Sequence, residues 1–223
     1  MKVQINWVPE PEFGGLYEAR ASGAFSNEGF DVELVGGGAR SPVVQIVASE
    51  QADFGVAAGE EVAVARVRGV DLVAIYATYQ TSPQGIMVHA SRGLHRLEVF
   101  SVPSIGFDPY ANVFVCRGEL LKTRPDRVRA FVRAVTEGWK AYLVSPDRAN
   151  EVMAAQNRAM DRTTFAEIAE VQRPLIESND TKARGLGAMR LERWKTLVDQ
   201  LVSIKAIPDR KVPSPESCFL WPA

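Results

Sequence analysis

The sequence predicts an α/β fold: a largely parallel sheet built in the first part of the chain, followed by a helical C-terminal part. Three observations predict it. Strand-like and helix-like segments alternate at short spacing through the N-terminal third, the pattern of right-handed βαβ units. Later segments carry apolar residues at three-and-four spacing, the signature of amphipathic helices. The 223 residues are 46% hydrophobic and 24% charged with a net charge of −1, which excludes disordered and low-complexity chains.

Taken in order, Lys2–Val8 alternates as a strand that Pro9-Glu10-Pro11 breaks, and Glu12–Phe25 is helical from Gly15 onward. Gly29 then gives way to a strand over Phe30–Val35, which ends at Gly36-Gly37-Gly38. Ser41-Pro42 offers an N-cap hydroxyl and a first-position proline, so a short helix is expected over Val43–Ser49. Asp53–Ala57 is a strand, Glu60–Arg68 a helix stopped by Gly69, and Leu72–Tyr79 a fourth strand. Gly85–His89 and Asn112–Cys116 are short apolar strands, with one further strand candidate at Glu98–Val102. Helices follow over Pro125–Leu143, Asp147–Gln156, Arg162–Ile176 and Leu191–Lys205. The proline-rich tail, Ile207–Ala223, is expected to lie extended on the surface, anchored by Phe219, Leu220 and Trp221.

Charge and motifs exclude more than they assign. A near-neutral balance gives no electrostatic case for nucleic acid or an acidic membrane, and no apolar run approaches the ~18 residues of a membrane helix. Met1–Val8 lacks the charged, apolar, small-residue order of a secretory signal. There is no Gly-x-Ser-x-Gly, His-Glu-x-x-His, Walker or Cys-x-x-Cys motif. Two cysteines, Cys116 and Cys218, leave one disulfide open, and His89 and His95 are too few for a histidine-rich metal site. Arg124, Arg127, Arg129 and Arg133 read as a solvated basic face. Gly36–Gly38 before a helix start is a weak anion signal, and a plain strand-to-helix loop is the reading it favours. Glu60 and Glu61 are first-turn acids, a position the helix dipole favours without any function. Trp7 closes the first strand, at the edge where open α/β sheets bind ligands; it is either core or a stacking platform. Aromatics beside amides and carboxylates describe a site that binds a flat polar molecule rather than one that transforms it.

Asn6-Trp7-Val8-Pro9-Glu10-Pro11-Glu12-Phe13-Gly14-Gly15-Leu16-Tyr17-Glu18-Ala19 resembles the opening of ABC-transporter substrate-binding proteins of the NMT1/THI5-like family, which bind thiamine-pyrimidine precursors. Gly29–Val35, Gln51–Val56, Ser82–Val88, Asp108–Val113 and Gly185–Met189 continue the resemblance, which keeps its order from Val3 to about Leu220. It implies a type II periplasmic-binding fold, in which two three-layer αβα lobes are joined by crossing strands. The sheet would be mainly parallel with an antiparallel crossing strand. A solute trapped between the lobes would pass to a membrane permease, outside the cytoplasmic membrane.

The chain departs from that pattern in one place. The family inserts its second lobe between the crossing strands; here only the 22 residues Ala90–Ala111 separate them, where a lobe needs on the order of 100. Residues 1–89 then form the first part of lobe 1, 90–111 a remnant in place of lobe 2, and 112–223 the return to lobe 1. The resemblance implies that Trp7 stacks on the ligand, that Glu12 and Tyr17 lie at the lobe edge, and that Gly59 and Glu60 offer a helix start and a carboxylate. Gln84, Tyr110 and Asn112 would come from the crossing strands. No cofactor and no metal is implied. A half-site exposes one ligand face, so weak binding and a homodimer through the surface left by the missing lobe are expected. The alternatives are a binder of a small anion of the sulfonate type, a shortened or engineered lobe without binding function, and an enzyme like the pyrimidine synthases. The last lacks the cysteine-rich stretch and the reactant histidine that the synthases use.

Overall fold

A computed structural model gives the fold and describes residues 1–39, 41–89 and 97–220. Its elements are β1 (Lys2–Gln4), a 3-10 turn (Pro11–Phe13), α1 (Gly14–Ala21), α2 (Ala24–Asn27), β2 (Glu33–Val35), α3 (Val43–Ala48), β3 (Phe54–Ala57), α4 (Gly59–Val67) and β4 (Leu72–Tyr79). Then come β5 (Gly85–His89), β6 (Leu97–Ser101), a 3-10 turn (Val102–Ile105), β7 (Ala111–Arg117), α5 (Gly118–Thr123), α6 (Pro125–Val144), α7 (Asp147–Gln156), α8 (Arg162–Ile176), α9 (Asn179–Arg184), α10 (Leu191–Ser203) and a last 3-10 turn (Pro215–Ser217).

The main sheet has the order β2-β1-β3-β7-β4. β1 pairs parallel with β2 and β3, while β7 runs antiparallel to both β3 and β4. Four strands therefore point one way and one returns against them. β3 and β4 are buried along their whole length, as a sheet covered on both faces requires. The period-2 alternation of β7 shows the two faces: Phe114 and Cys116 enter one core, Val113 and Val115 the other. The first core packs α1, α6, α7 and α8 around stacked Phe54 and Phe131, whose ring centroids are 3.8 Å apart. The second packs α3, α4 and α10 around Trp194 and Leu197. This is a three-layer αβα unit.

The outer edge of β4 is covered by the tail. Ala74 N–H donates to the Cys218 carbonyl at 2.9 Å, and Leu220 N–H donates to the Ala74 carbonyl at 2.8 Å. Phe219 stacks on Trp194 with ring centroids 5.7 Å apart. An exposed edge strand is thus paired rather than left open. Of the expected anchors, Phe219 holds, Leu220 is half exposed, and Trp221 lies outside the described residues.

Several expectations are corrected. The first strand stops at Gln4 because the chain leaves the sheet to cross its edge, and the second begins only at Glu33. The first helix starts through a 3-10 turn and breaks at Gly23, whose φ of 82° begins α2. Ser41 does not cap α3 with its hydroxyl; its carbonyl accepts from Val43 N–H at 2.9 Å, and Pro42 precedes the helix. Gly85–His89 forms a strand at the expected residues but stands outside the main sheet, paired among the described residues with β6. Cys116 and Cys218 are both free thiols buried in different cores. The arginines of α6 behave as a solvated face: Arg129 pairs with Asp126 at 2.9 Å and Arg133 grips Glu28 with two hydrogen bonds. No described helix is long and apolar enough to cross a membrane.

Candidate functional site

The carboxyl ends of β1, β2, β3 and β4 and the amino end of β7 share one edge of the sheet. In open α/β sheets this edge is where ligands bind. The chain beyond β1 is fixed across it: Ile5 N–H donates to the Val35 carbonyl at 3.0 Å, and Gly37 N–H donates to the Trp7 carbonyl at 2.9 Å. Gln4 Nε2 donates to the carbonyls of Val35 and Gly36 at 3.2 and 3.1 Å. Gly37 packs directly on the Ile5–Asn6 backbone, leaving no room for a side chain. The triglycine loop and the Asn6–Trp7 exit are therefore one rigid piece, and its indole is 39% exposed.

Glu10 and Glu12 flank Pro11 next to it. The 3-10 turn that carries them is fixed from below by Gln172 of α8, whose Nε2 donates to the Pro11 carbonyl at 3.0 Å and whose Oε1 accepts from the Tyr79 hydroxyl at 2.7 Å. Burial pushes the Glu12 carboxyl up to about 7; the Asn112 amide pulls against this and the nearby Glu10 charge adds to it. Glu10 is also raised by burial, opposed by the Trp7 side chain. Asn112, the second residue of β7, has a φ of 50°, a left-handed conformation that asparagine tolerates better than most side chains. The Asn6 Oδ1 is buried and has no hydrogen-bond partner among the described residues. Buried polar atoms normally have partners, and this acceptor is next in sequence to the exposed Trp7 indole.

The structure thus brings together Trp7, Glu12 and Asn112, with Glu10 and Asn6 added. Gly59 and Glu60 stand at the start of α4, tied to the approach to β7 by a 3.1 Å bond from Gly59 N–H to the Tyr110 carbonyl. Glu61, not Glu60, caps that helix by accepting from Ala58 N–H at 2.9 Å. Glu60 lines a groove of about 300 Å³ between α3 and α4, and burial raises its carboxyl, with Glu61 adding to the shift. Gln84 lies exposed at the base of β5, its carbonyl accepting from Val102 N–H at 2.9 Å.

The two tyrosines do not face the edge. Tyr17 is buried between α1 and α7, its hydroxyl 3.3 Å from Gln156 Oε1. Tyr110 is buried on the other side, its oxygen accepting from Arg190 N–H at 2.9 Å and its ring covered by the Arg193 guanidinium 4.0 Å from the centroid. Asn6 carried a readable signal, a polar residue at the carboxyl end of the first strand. Tyr79 and Gln172, 93 positions apart, carried none. Among the described residues no three His, Cys, Asp or Glu side chains gather as a metal site.

The NMT1/THI5-like family model matches residues 10–98 and 92–149. No curated protein matches the chain in sequence. In three dimensions it is similar to the ligand-binding component of an ABC-type import system from Staphylococcus aureus, solved with zinc bound, at a TM-score of 0.69 and 11% identity over 99% of this chain and 97% of that one. It is similar to the alkanesulfonate-binding protein SsuA of Xanthomonas axonopodis pv. citri, solved with MOPS, at 0.65 and 12% over 99% and 98% of the two chains. A Candida albicans protein with the generic periplasmic binding protein fold aligns at 0.65 and 13% over 99% and 95%. The chain has the fold of the periplasmic binding proteins, and it belongs to the NMT1/THI5-like family.

Proposed function

We propose that this chain is the solute-binding component of an ABC importer. It works outside the cytoplasmic membrane, delivers its solute to a membrane permease, and binds without transforming a flat nitrogen-containing heterocycle such as a thiamine-pyrimidine precursor. The observation that carries the ligand class is the exposed Trp7 indole beside two carboxyls, Glu10 and Glu12, that burial holds above their usual range. An environment that penalises negative charge on its own carboxyls also disfavours a bound sulfonate. Ring nitrogens and an exocyclic amine, by contrast, pair with Glu12, with the Asn112 amide and with the unpartnered Asn6 Oδ1 while the ring stacks on Trp7. Sulfonate binders share this fold, but Gly37 N–H, one of the donors the triglycine loop could offer an anion, is occupied by the Trp7 carbonyl.

In this reading Gly59, Glu60 and Gln84 border the site, and Tyr17 and Tyr110 support it from the core. Residues 1–89 and 112–223 form a single lobe, with residues 90–111 standing where the second would be inserted. Support comes from the family model itself, whose two matched segments meet at residues 92–98. One lobe leaves a ligand face in water, so affinity is modest unless a second copy covers it.

Calorimetric titration of an aminopyrimidine and of an alkanesulfonate into wild type and Trp7→Ala tests the reading. Loss of the indole is expected to weaken the aminopyrimidine about 10-fold or more, the scale of one aromatic–base stack, with no sulfonate uptake by either protein. An aminopyrimidine affinity that ignores the substitution sinks the stacking role, and sulfonate binding that ignores it transfers the site to an anion.

A further inference from the structure

Arg193 of α10 reaches across the ends of two strands. Its guanidinium donates from Nη1 to the Gln80 carbonyl and from Nη2 to the Asp108 carbonyl, the latter at 2.7 Å. It stands 3.4 Å from the Asp108 carboxylate and lies over the Tyr110 ring, 4.0 Å from the centroid. Asp108 closes the link from the other side, its Oδ1 accepting from Ser82 N–H at 2.7 Å. One side chain in this way joins the exit of β4, residues 80–82, to the approach to β7, residues 108–110. The planar fork of an arginine suits the task, because it aims several donors in fixed directions; a lysine ammonium does not.

The place of this clasp decides what it controls. β4 and β7 pair Ala77 with Val113 and then Tyr79 with Ala111, and Asn112 stands between the two pairs with a φ of 50°. Beyond Asn112 the ladder is a single pair at its end, and such ends are the first to open. Arg193 fastens the chain just past that pair. Tyr110 is pinned with it, its hydroxyl accepting from Arg190 N–H at 2.9 Å and its carbonyl from Gly59 N–H at 3.1 Å. Two residues further on, the Asn112 amide stands beside the Glu12 carboxyl and favours its charged form.

We propose that Arg193 is a positioning residue, which fixes the Asn112 amide at the ligand edge by clasping the ends of β4 and β7. The helix that carries it does not need it for docking. α10 is seated by its own apolar face, Trp194, Leu197, Val198 and Leu201, while the terminal nitrogens of Arg193 go to the two strand ends. The role in binding rests on the ligand reading above; the placement of Asn112 does not.

Arg193→Lys, which keeps the charge and most of the stem, tests the proposal against Gln200→Ala as control. Gln200 ties α10 to the same returning segment, its Nε2 donating to the Gly106 carbonyl at 2.7 Å, but short of the clasp. In ligand-free protein, the Asn112 side-chain amide resonances in a proton–nitrogen correlation spectrum are expected to move on Arg193→Lys and to stay on Gln200→Ala. Unmoved resonances in Arg193→Lys overturn the proposal, and so does an equal shift in Gln200→Ala. Arg193→Lys is also expected to bind an aminopyrimidine about 5-fold more weakly than wild type, the scale of one hydrogen bond. That loss should vanish in an Asn112→Gly background, where glycine keeps the left-handed backbone without the amide. Losses that simply add would show that Arg193 does not act through Asn112, and the proposal falls. A wild type that takes up no aminopyrimidine sinks the ligand reading instead, while the Asn112 resonances still judge the clasp.

Discussion

Glu12 shows how a site is made from ordinary residues by where the backbone leaves them. Pro11 beside it has no N–H and starts a 3-10 turn, Gln172 fixes that turn from α8, and the carboxyl ends up buried near Glu10 with only a partial partner in Asn112. Its carboxyl sits near 7 against an ordinary 4.5, so the folded protein binds this proton more tightly than the unfolded chain does. Stability contributed at Glu12 is therefore full below about pH 4.5 and is lost as pH rises through about 7. Glu12→Gln removes the penalty: its unfolding free energy in urea is expected to exceed that of wild type by about 1–3 kcal/mol at pH 8 and to match it at pH 4. An equal difference at both pH values would show that the carboxyl is not held neutral by burial. At this scale strand ends and prolines in the sequence mark the edge on which Trp7 lies, while Glu12 and Asn112 were expected there only through the family resemblance. The sequence was not legible at Tyr17 and Tyr110, because an aromatic ring with a hydroxyl suits a ligand edge and a core equally. What decides is a partner far along the chain: Gln156 for Tyr17 and Arg190 for Tyr110.

The same division holds for elements. Long helices such as α6, α7 and α8 were readable from their apolar spacing, and β4 from its unbroken apolar run. The short helices α2, α5 and α9 carry too few turns for a period to show. Bends that depend on tertiary contact, such as the early end of β1, leave no local trace either. Close approach between helices is similarly silent in sequence, and the packing of α1 on α6 turns on it. A Cβ on Gly138 would strike the Gly15 carbonyl and Ala19, so the two helix backbones touch there. Alanine is the better helix former by up to ~1 kcal/mol, yet here it must push a backbone aside. Gly138→Ala is thus expected to destabilise the protein by about 2 kcal/mol or more despite its propensity, read as a lower urea midpoint at unchanged slope. A stabilised variant would mean that α1 and α6 do not meet at this glycine.

For the whole molecule, alternation of strands and helices specified the three-layer arrangement, and Leu72–Tyr79 and Asn112–Cys116 lay close to the strands that form. Sheet order was beyond reach, because β7 inserts between β3 and β4 through pairings some sixty and forty residues apart that no local pattern encodes.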